Sequence, residues 1–139
     1  MQLNAYIFFD GNCAEAMRYY ERLLGGKIEM MMTHAESPMA AQTASCAAPD
    51  RIMHARLVFP EGGLLMASDA MANQPYDAMK GFTLSLNYET PDEARRIFNG
   101  LADGGKINMP MEKTFWAQAF GMVVDRFGTP WMVGGGMPK

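Results

Sequence analysis

From Leu3 to Phe9 the chain is apolar and aromatic without helical spacing, and it stops at Asp10-Gly11, which predicts a strand. Asn12 follows, with Glu15 three residues on, the two ends of a capping box. Ala16, Met17, Tyr20, Leu23 and Leu24 then fall on one helical face, and Arg18, Glu21 and Arg22 fall outside it. Gly25-Gly26 closes this helix, because glycine takes the left-handed conformation that a C-terminal cap requires. Lys27 to Thr33 predicts a second strand, whose Met30-Met31-Met32 run implies cover on both faces. His34 to Arg51, with Ser37-Pro38 and Pro49-Asp50, follows neither period and predicts a long loop or a short irregular helix. Ile52 to Phe59 and Leu64 to Ser68 predict a hairpin turning at Pro60-Glu61-Gly62-Gly63.

After a polar connector, residues 70–80, the pattern starts again. Gly81 to Tyr88 alternates, with Phe82, Leu84 and Leu86 on one side and Thr83, Ser85 and Asn87 on the other, as a strand with two unlike faces does. Thr90-Pro91-Asp92-Glu93 is a capping box with proline at the first helical position, and it opens a helix that presents Ala94, Ile97, Phe98 and Leu101 on one face and closes at Gly104-Gly105. Lys106 to Met109 predicts a strand interrupted by Pro110, hence an edge position or a bulge. Thr114 to Val133 predicts a second hairpin, turning at Asp125-Arg126-Phe127-Gly128.

The two hairpins superpose at one constant offset of about 66 residues, which pairs Val58 with Val124, Gly62 with Gly128, Leu65 with Trp131 and Met66 with Met132. The helix ends match at an offset of about 79: five of the six residues of Gly25-Gly26-Lys27-Ile28-Glu29-Met30 recur in Gly104-Gly105-Lys106-Ile107-Asn108-Met109. The difference is the 34–51 loop of the first copy. The chain is therefore α+β and consists of two tandem βαβββ modules, residues 1–69 and 81–134, with a tail at 135–139. Neither copy alone buries its sheet, so each needs the other or a second subunit.

Composition narrows the function classes. A length of 139 residues suits one domain with its own core. No apolar run approaches the roughly 20 residues of a membrane span, and no basic segment leads into an apolar one at the N-terminus, so a cytoplasmic protein without a membrane partner is expected. Two cysteines, Cys13 and Cys46, suit free thiols in a reducing compartment. A net charge of −3, with no basic cluster beyond Arg95-Arg96, argues against nucleic acid. The 15 methionines are the outlier; their flexible thioethers fill core gaps or line an adaptable apolar pocket.

A duplicated βαβββ unit resembles the vicinal oxygen chelate superfamily of glyoxalases, bleomycin-resistance proteins and extradiol dioxygenases. Phe8-Phe9-Asp10-Gly11-Asn12-Cys13 with Ala16 and Tyr19-Tyr20, the Met66-Ala67-Ser68-Asp69 step, Phe115-Trp116-Ala117 and Phe127-Gly128-Thr129-Pro130-Trp131 are similar to its PhnB-like branch, which often carries the label of a 3-demethylubiquinone methyltransferase domain. The resemblance implies a curved mixed sheet forming a cup, within a homodimer. It also implies that metal-using relatives take one ligand from the first and last strand of each copy. Those strands here offer Ala5 to Phe9, Leu65 to Ser68, Thr83 to Asn87 and Trp131 to Gly134, with no His or Glu, so neither a metal nor another cofactor is expected. No Gly-x-Gly element follows a strand, so methyl transfer is not expected either.

Two functions fit. The first is a metal-free binding protein that holds a small apolar or aromatic molecule against Phe115, Trp116, Met66 and Trp131, with Gln118 orienting a carbonyl. The second is a glyoxalase-type lyase or isomerase in which His54 or Glu112 is the acid or base, with an atypical metal. His34 reads as a solvated loop residue, Asp69 as a cap on the connector and Asp125 as a turn residue. Cys13 lies at a helix N-terminus, where the dipole lowers a thiol pKa, but no His partner for it is evident.

Overall fold

A computed structural model describes residues 1–38 and 48–137. The chain divides into two compact units, Met1–Asp77 and Ala78–Lys139. In the first, β1 (Ala5–Phe9), α1 (Cys13–Leu24), β2 (Lys27–Thr33), β3 (Ile52–Val58) and β4 (Leu64–Asp69) follow one another. The second repeats the series with β5 (Leu84–Tyr88), α2 (Pro91–Ala102), β6 (Lys106–Glu112), β7 (Ala119–Val124) and β8 (Pro130–Gly135).

Each unit is one four-stranded mixed sheet, ordered β1-β4-β3-β2 and β5-β8-β7-β6. The first strand of each runs parallel to the last, and the other pairs are antiparallel. Such a parallel pair needs a crossover, which the helix and the intervening strands supply. The repeat read from the residues extends to single hydrogen bonds. Ala70 N–H donates to Phe9 O at 2.7 Å, and at the matching positions Gly136 N–H donates to Tyr88 O at 3.1 Å.

One face of each sheet is covered by its helix. In unit 1, Ile7, Phe9, Ala55, Leu57, Leu65 and Ala67 are buried, together with Cys13, Ala16, Met17 and Tyr20 of α1. In unit 2, Val123, Trp131 and Val133 are buried with Ala94, Ile97, Phe98 and Leu101 of α2. Close packing there depends on missing side chains. A Cβ on Gly121 would come within 2.7 Å of the Phe98 ring, and one on Gly135 within 2.4 Å of Thr90 O.

The helix ends divide into one that follows its local sequence and one that does not. Thr90 Oγ1 accepts from Glu93 N–H at 3.2 Å, as the capping box predicts. Asn12 makes no side-chain cap, so the box expected with Glu15 does not form. Its place is taken by Asp69 at the end of β4: Oδ1 accepts from Gly11 N–H at 2.8 Å and Cys13 N–H at 3.0 Å, and Oδ2 from Ile52 N–H at 2.8 Å. Asp69 thus caps α1 and not the connector. Gly25 closes α1 in the left-handed conformation, with φ 78°.

Other boundaries also differ from expectation. β1 begins at Ala5 and β5 at Leu84, later than the apolar pattern suggests. β6 continues through Pro110 to Glu112, because an edge strand with register shifts on both sides of Met109 has an outward side that needs no N–H. His34 is buried, not solvated: its N–H donates to Arg51 O at 3.0 Å and Ala35 N–H to Pro49 O at 3.1 Å, which ties the two ends of the 34–51 loop together. Residues 39–47 of that loop, with Cys46, lie outside the described residues, as do 138–139 of the tail.

Candidate functional site

Strand alternation leaves a second row of side chains on the face of each sheet opposite its helix. In unit 1 the register places Tyr6 beside Met66, Met66 beside Arg56 and Arg56 beside Met30, a row across all four strands. Phe8 and His54 stand next to it on β1 and β3. Tyr6 is 39% and Phe8 53% exposed, whereas Ile7 and Phe9 between and beyond them are buried.

Polar chemistry concentrates in this row. The Tyr6 hydroxyl and His54 Nδ1 share a hydrogen bond of 3.0 Å, with the proton on either side according to the imidazole tautomer. Their rings stack at 5.5 Å and 24°, and the Phe8 ring lies 5.2 Å from that of Tyr6. Arg56 Nε donates to Glu29 Oε1 at 3.0 Å, and its Nη1 approaches Met66 Sδ at 3.9 Å.

In unit 2 the corresponding row is Ser85, Met132, Met122 and Met109, with Asn87, Gly134, Phe120 and Glu112 beside it. Trp116 meets Phe120 edge to face at 5.2 Å and 72°, and Phe115 meets Trp116 at 4.7 Å and 83°. Thr114 holds this aromatic step in place. Its Oγ1 accepts from Trp116 N–H at 3.3 Å and Ala117 N–H at 3.1 Å, and its own N–H donates to Ala117 O. Phe115 remains 87% and Trp116 48% exposed, unusual for rings of this size.

The residues expected from sequence are thus distributed unevenly. Met66 and His54 lie in the unit 1 row; Phe115 and Trp116 form the unit 2 aromatic step; Glu112 is exposed on the edge strand, in register with Phe120. Gln118 donates its N–H to Gly136 O at 3.3 Å, and its side chain lies against Gly136. Trp131 is the correction. It is 3% exposed and its indole N–H donates to Asp125 Oδ2 at 2.8 Å, so it belongs to the core of unit 2 and offers no surface to a ligand. Tyr6, Arg56 and Phe120 are additions. The alternation of β3 puts Arg56 on the same face as His54, and Tyr6 alternates with Ile7; both signals were present in the sequence.

In neither unit do the first and last strands offer the ligands of a divalent cation. The positions that face away from the helix are Tyr6, Phe8, Met66 and Ser68 in unit 1 and Ser85, Asn87, Met132 and Gly134 in unit 2, with no imidazole or carboxylate among them. Among the described residues no three His, Cys, Asp or Glu side chains converge. Cys13 is no candidate nucleophile. Burial first, and the neighbouring Asp69 carboxylate second, push its thiol pKa well above the usual range and outweigh the helix dipole.

The family model of the Glyoxalase/Bleomycin resistance protein/Dioxygenase superfamily matches residues 2–133. Protein YjdN of Escherichia coli strain K12 is 39% identical over 140 aligned positions, which cover 96% of this chain and 94% of that protein. Among solved structures, protein PA1353 from Pseudomonas aeruginosa superposes with a TM-score of 0.88 at 46% identity, over 98% of both chains. A PhnB protein from Bacillus cereus, named as a proposed 3-demethylubiquinone-9 3-methyltransferase, superposes with a TM-score of 0.79 at 23% identity over 97% of this chain and 99% of that one, a likeness of fold alone.

Proposed function

The chain belongs to the Glyoxalase/Bleomycin resistance protein/Dioxygenase superfamily, and from that membership we propose that it binds a small apolar or aromatic molecule without a metal. The observation that carries this reading is the aromatic step of unit 2, where Phe115, Trp116 and Phe120 meet edge to face beside the thioethers of Met122 and Met132. Thr114 fixes the backbone that carries the step, and the Trp116 ring is braced edge to face by Phe115 and Phe120 yet left in contact with water, so it loses little side-chain entropy when a ligand covers it. Flexible thioethers adapt to the ligand's outline.

Removing the Trp116 ring should weaken binding about tenfold, in keeping with about 0.5–1.5 kcal/mol for an aromatic pair plus the area it covers. Calorimetric titration of wild type and Trp116→Ala with indole and 2-naphthol measures this. Equal affinities in the two proteins would remove Trp116 from the site.

Methyl transfer has no place in this reading. The loop after β1 would be the natural cradle for a nucleotide-like donor, and its Gly11 and Cys13 N–H groups are already taken by Asp69. The loop after β5 leads into Pro91, which has no N–H to offer.

A second reading, proton transfer next to a carbonyl, is favoured by the Tyr6–His54 hydrogen bond. An imidazole fixed by a phenol on an open sheet face is suited to act as general acid or base, whereas Glu112 on its exposed edge strand lacks such positioning. Deuterium exchange into small α-hydroxy ketones, followed by NMR, should be accelerated by the wild type and return to the buffer rate in His54→Gln. A wild-type rate equal to buffer would end this reading.

A further inference from the structure

We propose that the face of β1, β3 and β4 opposite α1 recognises a small aromatic carboxylate, with Arg56 binding the anion, the Tyr6–His54 pair binding a second polar group, and the rings of Tyr6 and Phe8 forming the wall. This goes beyond the aromatic step of unit 2 and uses none of its residues. The first support is a comparison between the two units. At the offset of about 66 residues that relates the hairpins, Arg56 corresponds to Met122 and His54 to Phe120; at about 79, Tyr6 corresponds to Ser85. The same sheet positions in the same fold therefore accept uncharged side chains, Met122, Phe120 and Ser85, with neither a guanidinium nor an imidazole. A cation and a proton-bearing pair are not needed to build the sheet.

The second support is the way Arg56 is held. Its cross-strand partners in register are Met66 and Met30, and its Nη1 lies on the Met66 thioether, a weak acceptor. Glu29 touches it through one oxygen on Nε, which fixes the plane of the group. The Nη1 and Nη2 edge, with Nη1 on the Met66 sulfur at 3.9 Å, has the fork geometry that pairs with a carboxylate through two parallel hydrogen bonds.

The third support is spacing. His54 and Arg56 are two residues apart on one strand face, about 7 Å between Cα atoms, comparable to the separation of a carboxylate and a substituent across one benzene ring. The row Phe8, Tyr6, His54, with centroids 5.2 and 5.5 Å apart, offers a continuous π surface for that ring.

The test is calorimetric titration with 4-hydroxybenzoate and, as its neutral isostere, 4-hydroxybenzamide. Wild type should bind the acid at least tenfold more tightly than the amide. Arg56→Gln should abolish that preference, and so should Arg56→Met, which installs the residue found at the matching place in unit 2 and guards against a folding defect. Tyr6→Phe should weaken acid and amide alike. Trp116→Ala should leave the preference intact, which separates this site from the aromatic step. Equal binding of acid and amide by the wild type, binding of neither, or a preference that survives both Arg56 substitutions would overturn the proposal.

Discussion

Replacing Asp69 by Ala should lower the unfolding free energy by about 4–6 kcal/mol. Asp69 is 5% exposed, and its carboxylate accepts from three backbone N–H groups on two segments: Gly11 and Cys13 at the start of α1, and Ile52 at the start of β3. Each buried donor left without an acceptor costs about 1–3 kcal/mol, and the loss of an anion at the α1 N-terminus adds up to about 1. Domains of this size are stable by only about 5–15 kcal/mol, so the variant should stand at the edge of folding, with a Tm lower by roughly 10–25 °C. Asp69→Asn keeps the shape but offers a single acceptor oxygen and turns an amide N–H₂ towards a donor. It should lose about half as much. Urea denaturation followed by circular dichroism measures both, and an Asp69→Ala protein within about 1 kcal/mol of wild type would show that the three donors find water instead.

The same carboxylate shows why one helix start was legible in the sequence and the other was not. At α2 every participant lies within Thr90 to Glu93, so the cap is a local pattern. At α1 a similar pattern, Asn12 to Glu15, is present but unused, because the acceptor arrives from residues 56 and 58 positions further on. A short-range reading has no access to that contact. The matching place in unit 2 is Gly135, where a Cβ would strike Thr90 O at 2.4 Å. Two copies of one module thus bring a helix start against the end of the last strand by different means, one through an acid and one through the absence of a side chain.

The candidate site divides in the same way. Strand alternation and the tandem offset were enough to give the two modules, the hairpins and the placement of His54, Met66 and Trp116. The Tyr6–His54 bond joins residues 48 apart, and no motif announces it. Pro110 pointed correctly to an edge strand with register shifts and misled only about where β6 ends, because proline interrupts a strand only where its missing N–H is needed. On the outer side of β6 it is not. Trp131 misled for a different reason: the alternation of β8 sets it on the helix side, opposite in direction to Met132, where its indole N–H needs a buried acceptor.

That acceptor is Asp125, and its removal should have the second large effect. Oδ1 accepts from Phe127 N–H at 2.9 Å and Thr129 N–H at 3.0 Å, and Oδ2 accepts from Trp131 Nε1 at 2.8 Å, all in a buried setting. Asp125 therefore shapes the β7–β8 turn and at the same time anchors the largest ring of the unit 2 core. Its main chain contributes as well, with Asp125 N–H donating to Thr129 O and Gly128 N–H to Asp125 O, and Gly128 takes a φ of 93° that other residues adopt only with strain. Those backbone bonds survive substitution, so the loss is confined to the side chain. Asp125→Ala should cost about 3–5 kcal/mol, from three buried donors at about 1–3 each with partial relief by water. Asp125→Asn can keep Oδ1 for the two turn N–H groups while its N–H₂ opposes the indole N–H, so it should cost about 1–3 kcal/mol. Adding Trp131→Phe to Asp125→Asn removes the opposed donor and should restore part of that loss, apart from the cost of the smaller ring, a coupling that a double-mutant cycle isolates. Strictly additive losses in that cycle would mean that the indole N–H contributes nothing through Asp125, and that Trp131 is held in the core by packing alone.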